Sequence, residues 1–243
     1  DTAIMIKGNA VRSFTYMFLT MWNVAGKRNS VPEEELNKYI TDFSTDECLF
    51  DIDKENDKLR SGGFVIPYGD SPFDDERVGK QIYIDILNRA TRYVHIMTPY
   101  LILDDELIQT LSYAAVRGVE TVIIMPHIPD KKYAYLLARS YYRKLLEKGV
   151  KIYEYTPGFV HAKEFISDDI RGTVGSVNLD YRSLYLHFEC GTYIYNNGCI
   201  KDIEDDFQAT LEKCQEITIA DCDNYPWIKK TLGRIFRLIA PLM

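Results

Sequence analysis

The stretch His161 to Glu189, HAKEFISDDIRGTVGSVNLDYRSLYLHFE, carries the side chains best suited to chemistry. In an extended chain, residues i and i+2 share a face, so His161 and Lys163 can address one ligand. That pair suits phosphate chemistry. An imidazole can attack phosphorus or pass a proton, and an ammonium offsets phosphoryl charge. Asp168 follows, then the turn Gly175-Ser176-Val177-Asn178, and finally Glu189 in an apolar run.

His161-x-Lys163-x4-Asp168 followed by Gly175-Ser176-x-Asn178 resembles the HKD motif of the phospholipase D superfamily. Pro157-Gly158-Phe159-Val160 before the His, Asn178-Leu179-Asp180-Tyr181-Arg182-Ser183 after it, and Phe188-Glu189 at its close resemble bacterial cardiolipin synthases. The similarity extends over nearly the whole chain, to Ala240-Pro241-Leu242-Met243. One departure is His187, where that family usually has Asn; this puts fine substrate detail in doubt.

The resemblance implies catalysis through a phosphohistidine intermediate, with no metal or organic cofactor. One HKD His attacks the phosphodiester and the other protonates the leaving group. His161 belongs to the second motif and takes the acid/base role, for which a near-neutral pKa serves in both directions. Lys163 and Asn178 would hold phosphoryl oxygens, Ser176 would help orient them, and Glu189 would orient the catalytic His. Asp168 belongs to the same catalytic signature but in this superfamily tends to support the fold away from the phosphate. Asp169 reads as turn chemistry.

Around this block the 243 residues allow one large domain or two small ones. The net charge of -7 argues against a protein that wraps nucleic acid, although a local basic patch remains compatible with it. Cys48, Cys190, Cys199, Cys214 and Cys222 show no C-x-x-C spacing, which suits free thiols in a reducing compartment and not a metal site. No apolar run is long enough to span a bilayer.

Thr2 to Lys7 reads as a strand and Asn9 to Val24 as a helix, with Val11, Phe14, Phe18 and Trp22 on one face. The same order recurs in the strand Thr192 to Tyr195, the turn Asn196-Asn197-Gly198, and the spacing of Ile200, Ile203, Phe207 and Leu211. If this is a repeat, Asp1 corresponds to Cys190; two unrelated strand-helix units are the other reading. With the family's two fused lobes, the repeat makes residues 1–25 the end of an N-terminal lobe. A first HKD motif and membrane spans are then expected upstream of Asp1. Residues 26–63, polar and charged, with a helix start at Pro32-Glu33-Glu34-Glu35, read as an inter-lobe connection.

From Phe64 helices and strands alternate: a strand Phe64 to Tyr68, helix Arg77 to Ala90, strand Tyr93 to Thr98, helix Asp105 to Arg117, strand Glu120 to Met125, helix Lys131 to Lys148 and strand Lys151 to Tyr155. This predicts an α/β lobe over residues 64–216, a phospholipase D-like mixed or parallel sheet flanked by helices. Functional residues of such sheets gather at strand ends. Thr98-Pro99-Tyr100 lies there, and the same word occurs in cardiolipin synthases, which makes Tyr100 a substrate-binding candidate. His127 reads as a loop residue more than as a substrate contact, and His95 as a structural histidine. Lys201 to Glu216 reads as a helix with a solvated acidic face. Residues 217–243 end in an amphipathic helix, Trp227 to Ile239, whose cations Lys229, Lys230, Arg234 and Arg237 meet no acid. It could dock on the lobe or lie on anionic lipid.

The reading is therefore the C-terminal half of a phosphatidyltransferase joining two phosphatidylglycerol molecules and releasing glycerol at the cytoplasmic face of the cell membrane. Its partners would be phospholipid, membrane surface and the missing N-terminal HKD lobe, with no nucleic acid expected. Two alternatives stand beside it: a superfamily hydrolase acting on lipid or nucleic acid, and a non-catalytic isolated lobe, since one lobe supplies one His where the mechanism needs two.

Overall fold

The computed structural model describes residues 1–26, 32–36, 38 and 62–242, so Cys48 and most of the expected connection lie outside the described residues. Helices are α1 (Ala10–Ala25), α2 (Glu33–Leu36), α3 (Val78–Arg89), α4 (Asp105–Val116), α5 (Lys132–Leu146), α6 (Cys199–Leu211), α7 (Ile219–Asn224) and α8 (Trp227–Ile239). Strands are β1 (Phe64–Asp70), β2 (Tyr93–Met97), β3 (Glu120–Pro126), β4 (Lys151–Tyr155), β5 (Glu164–Ser167), β6 (Arg171–Gly175), β7 (Glu189–Tyr195) and β8 (Cys214–Ile217). They form an eight-stranded mixed sheet ordered β1-β7-β6-β5-β2-β3-β4-β8.

The centre is parallel, β2 to β3 to β4, because α4 after β2 and α5 after β3 carry the chain back over the sheet. Both faces are covered, so the central strands are apolar on both sides. Val94 and Ile96 of β2, Ile123 and Met125 of β3, and Ile152 of β4 face the larger core with α3, α4 and α5. Met97, Val122 and Ile124 face the other way, onto Ile200, Ile203 and Phe207 of α6. His95, on that second face, is stacked between Tyr93 and Phe207, and its Nδ1 lies 2.9 Å from Glu204 Oε1.

The remaining pairings are antiparallel, and of these β5 and β6 form a hairpin. The turn joining β5 to β6 places Asp168 and Asp169 at φ 58° and 61°, a conformation that Asp tolerates better than most residues. Asp168 is buried, and its carboxylate accepts hydrogen bonds from the backbone N–H groups of Thr91, Arg92 and Tyr93 and from the Thr91 hydroxyl, at 2.8 to 3.0 Å. It thereby ties the start of β2 to the β5–β6 hairpin. Asp169 accepts from Arg92 and from the Tyr93 hydroxyl at the surface.

Three expectations change. Residues 2–7 add no strand to the sheet, and Thr2 instead hydrogen-bonds Asp206 of α6. A strand needs a ladder partner, which apolar alternation alone does not provide. The helix half of the suggested repeat does form: α1 packs on β1, where Met17 lies so close to Gly69 that a side chain there would collide with it. The helix expected over Lys201 to Glu216 stops at Leu211, and Cys214–Ile217 becomes an edge strand antiparallel to β4. His161 and Lys163 sit just before β5 and not within a strand.

α8 packs on α5 through Gly233, whose added Cβ would lie 2.5 Å from the Leu136 carbonyl oxygen. Arg237 covers the Tyr141 ring at 4.6 Å. Gly233→Val should therefore unseat α8 at a cost of about 1–3 kcal/mol, read as a lower urea midpoint and faster proteolysis within residues 227–239. Asp168→Ala should cost about 2–4 kcal/mol by leaving three N–H donors unpaired. Burial raises the Asp168 pKa, but the hydrogen bonds from Tyr93, Arg92 and Thr91 outweigh it, so the folded-state value is depressed. The stabilisation is full above the unfolded pKa of about 3.9 and is lost as pH falls through the folded value. Melting curves of wild type and variant should converge on acidification below that point.

Candidate functional site

Antiparallel pairing of Met97 with Glu164 brings the residues before β5 to the carboxyl end of β2, beside Thr98-Pro99-Tyr100. That is where open α/β sheets place their ligands. The pairing of Gly175 with Gly191 brings the end of β6 alongside β7 at the same level. A Cβ at Gly175 would lie 2.4 Å from the Cys190 carbonyl oxygen, so only glycine lets the two backbones meet there. Ser176 and Glu189 are thus delivered next to the His-x-Lys segment.

The Lys163 side chain turns back on the imidazole: Nζ lies 2.9 Å from His161 Nδ1, 3.1 Å from Nε2 and 2.5 Å from the His161 carbonyl oxygen. The expected common direction of the two side chains is realised, with the pair just outside β5. Burial pushes the Lys163 pKa down to about 8, against the opposing fields of Glu189 and Asp180. Burial and the Lys163 ammonium together hold His161 below its usual 6.5. The imidazole side chain remains 47% exposed, and its Nδ1 lies 3.1 Å from Asp1 Oδ1.

Glu189 is raised by burial and accepts a hydrogen bond from the Ser176 hydroxyl. Ser176 also accepts from the Cys190 N–H at 3.0 Å. The expected orientation of His161 by Glu189 is not present: the carboxylate aligns Ser176. Asn178 is close in sequence to this group; its Nδ2 donates to Ser183 Oγ at 2.9 Å, and its buried Oδ1 has no partner. Asp180 accepts from the Ser183 N–H at 2.8 Å, and burial raises its pKa.

His161, Lys163 and Ser176 line an open cavity of about 610 Å³, together with Val174, Gly175, Cys190, residues 1–4 and Ile6. Its far wall is apolar, from Ile4, Ile6, Val11 and Phe14. Tyr100 stands one ring away: its ring centroid is 6.5 Å from Phe159, which lies 5.7 Å from His161, and its hydroxyl donates to Asp130. Asp168 is not brought to the cavity. It follows β5 where His161 precedes it, roughly 20 Å away along an extended chain.

Sequence reasoning gave no role to Asp180, named only within the stretch Asn178 to Ser183, and passed over the apolar wall, which depends on contacts far apart in sequence. His187 bridges Arg182, 3.1 Å from its Nε2, and Glu189, 3.9 Å from its Nδ1. His127 is bound at 2.8 Å to Glu154, a fully buried carboxylate shared with Arg139 and Tyr135. Among the described residues, no cluster of three or more His, Cys, Asp or Glu side chains is arranged to hold a metal, and no helix is long and apolar enough to cross a membrane.

The model of the cardiolipin synthase, PLD-like domain matches residues 83–211. An uncharacterized protein of Streptococcus mutans is 49% identical over 243 residues, which are 100% of this chain and 49% of that protein. A cardiolipin synthase of Clostridium perfringens is 34% identical, over 100% of this chain and 48% of its own length. The chain thus spans about half the length of the curated relatives it matches. Among solved structures, the phosphatidylserine synthase of Haemophilus influenzae superposes with a TM-score of 0.62 at 19% identity, over 74% of this chain and 47% of that one. The phospholipase D family member Nuc of Salmonella typhimurium gives 0.55 at 16%, over 65% and 99%. At those identities the likeness is one of fold, and it is the fold described above. With the family match over residues 83–211, the chain belongs to the phospholipase D superfamily, in its cardiolipin synthase-like branch.

Proposed function

We propose that this chain supplies the acid/base half of a phosphatidyltransferase centre that joins two phosphatidylglycerol molecules and releases glycerol. The observation that carries the reading is the cavity itself. It combines a buried cation and an imidazole, fit for a phosphodiester, with an apolar wall of Ile4, Ile6, Val11 and Phe14, fit for the glycerol and acyl parts of a lipid. A nucleic-acid groove would instead be expected to line such a wall with cations and exposed stacking rings.

In this reading the nucleophilic His comes from the first HKD lobe of a longer protein, the source also proposed for the membrane spans. Residues 1–25 close that first lobe, residues 26–63 connect it and residues 64–216 form the second. The nucleophile attacks phosphorus, and His161 gives its proton to the departing glycerol oxygen. In the second half-reaction His161 takes the proton of the acceptor hydroxyl as that oxygen attacks the phosphohistidine. The depressed pKa of His161 suits the base step. For the acid step, a phosphodiester anion beside Lys163 offsets the ammonium and raises the imidazole toward neutrality. Lys163 neutralises phosphoryl charge beside Ser176 on the cavity wall, while Asn178 would reach the same oxygens by turning its Nδ2 from Ser183. Glu189 holds Ser176, and Asp168 acts through the fold. Tyr100 borders the substrate by way of Phe159. The reaction so written needs no metal or organic cofactor.

In the longer protein assayed on phosphatidylglycerol vesicles, His161→Ala should lower turnover by about 10²–10⁴-fold. The 243-residue chain alone should turn over little or no lipid, since it offers one such His. Cleavage of single-stranded DNA without lipid turnover would replace this reading with a nuclease. Release of phosphatidic acid as the main product would make water the acceptor. Independently, NMR titration of the chain should place the His161 pKa below 6.5. Lys163→Met should move it partway upward, burial accounting for the rest.

A further inference from the structure

The last helix leaves an unusual surface. At 100° per residue, Trp227, Leu238, Ile235, Ile228, Ile239 and Leu232 of α8 fall within an arc of about 140°. Gly233, by which the helix docks on α5, lies on the opposite side. The apolar arc therefore faces outward: Leu238 is 82% exposed, Trp227 75% and Ile235 51%. Arg234 borders the arc beside Trp227, while Lys229 lies past Phe236 toward the docked side, its Nζ 5.6 Å from the Tyr225 ring centroid. Lys230, which donates to the Asp223 carbonyl oxygen at 2.8 Å, and Arg237 lie toward the docked side. No acidic side chain occurs between Trp227 and Met243 in a chain of net charge -7.

We propose that α8 is a membrane-surface anchor, fixed to the lobe by its glycine side and immersed in anionic lipid by its apolar side. Its 13 residues make a helix about 20 Å long, too short to cross a bilayer and suited to lie in the interface. Trp227 at one end, Arg234 at the border and the absence of any acidic side chain from the helix match the aromatic and cationic preferences of the headgroup layer. A second copy of the chain fits less well. Face-to-face contact would set Arg234, near the middle of the helix, against its own copy, where an anionic headgroup layer attracts it. Because one helix both docks and anchors, the lobe would be held at a fixed attitude to the bilayer. This holds whichever reaction the site performs.

The test uses the chain in a Trp22→Phe background, so that Trp227 alone reports by fluorescence. With vesicles of phosphatidylglycerol and phosphatidylcholine, the chain should cosediment and the Trp227 emission should shift to the blue. Both effects should weaken at high salt and on vesicles of phosphatidylcholine alone. Ile235→Glu with Leu238→Glu should lower partitioning by at least about tenfold, with an unchanged thermal melt showing that the lobe is intact. Absence of binding to anionic vesicles at low salt would overturn the proposal, as would binding indifferent to the double substitution. A dimer in sedimentation velocity that the double substitution dissolves, with no vesicle binding, would assign the face to a second copy. Capture of an acidic protein by this face without vesicle binding would equally overturn it.

Discussion

Burying an ammonium is the constraint on which the site depends. Lys163 is largely removed from water, and desolvation weakens its hold on its proton. The chain answers with two carboxylates, Glu189 and Asp180, whose fields oppose that loss. Each of these is costly in turn, so each is held by hydrogen bonds, Glu189 by Ser176 and Asp180 by the Ser183 N–H. The arrangement leaves Lys163 with a weakened charge set against His161. An arriving phosphate then has a cation to neutralise and an imidazole whose proton affinity it can raise.

The sheet is what makes this cluster possible. Its parallel centre supplies a carboxyl edge at β2, and its antiparallel arm β5-β6-β7 returns to that edge twice, delivering His-x-Lys first and the serine and glutamate turns next. Asp168 secures the arm at its other end by accepting the N–H groups that begin β2. The His-x-Lys-x4-Asp spacing thus spans one short strand, with the imidazole and ammonium before β5 and the mechanical attachment through Asp168 after it.

The N-terminal segment has a different standing. It pairs with no strand, yet its Ile4 and Ile6, with Val11 and Phe14 of α1, form one wall of the cavity. Several apolar side chains of α1, among them Phe18 and Trp22, stay exposed. The environment at the mouth of the site is therefore set by residues remote from the motif.

By itself the sequence marked out the candidate site and most of the order of elements. His161, Lys163, Ser176 and Glu189 were recognisable as a group because their spacing is local and each residue type has few other uses together. The alternation from Phe64 to Tyr155 defined the parallel centre, since helix and strand periods differ. Three matters were decided only by tertiary structure. Whether residues 2–7 and Cys214–Ile217 became strands depended on a ladder partner, which the first lacks and β4 gives to the second. Glu189 could be placed beside either His161 or Ser176, and the close approach of Gly175 to Gly191 selects Ser176. The outward direction of the apolar arc of α8 followed from Gly233 meeting Leu136, a steric fit between two helices that no periodicity along one of them contains.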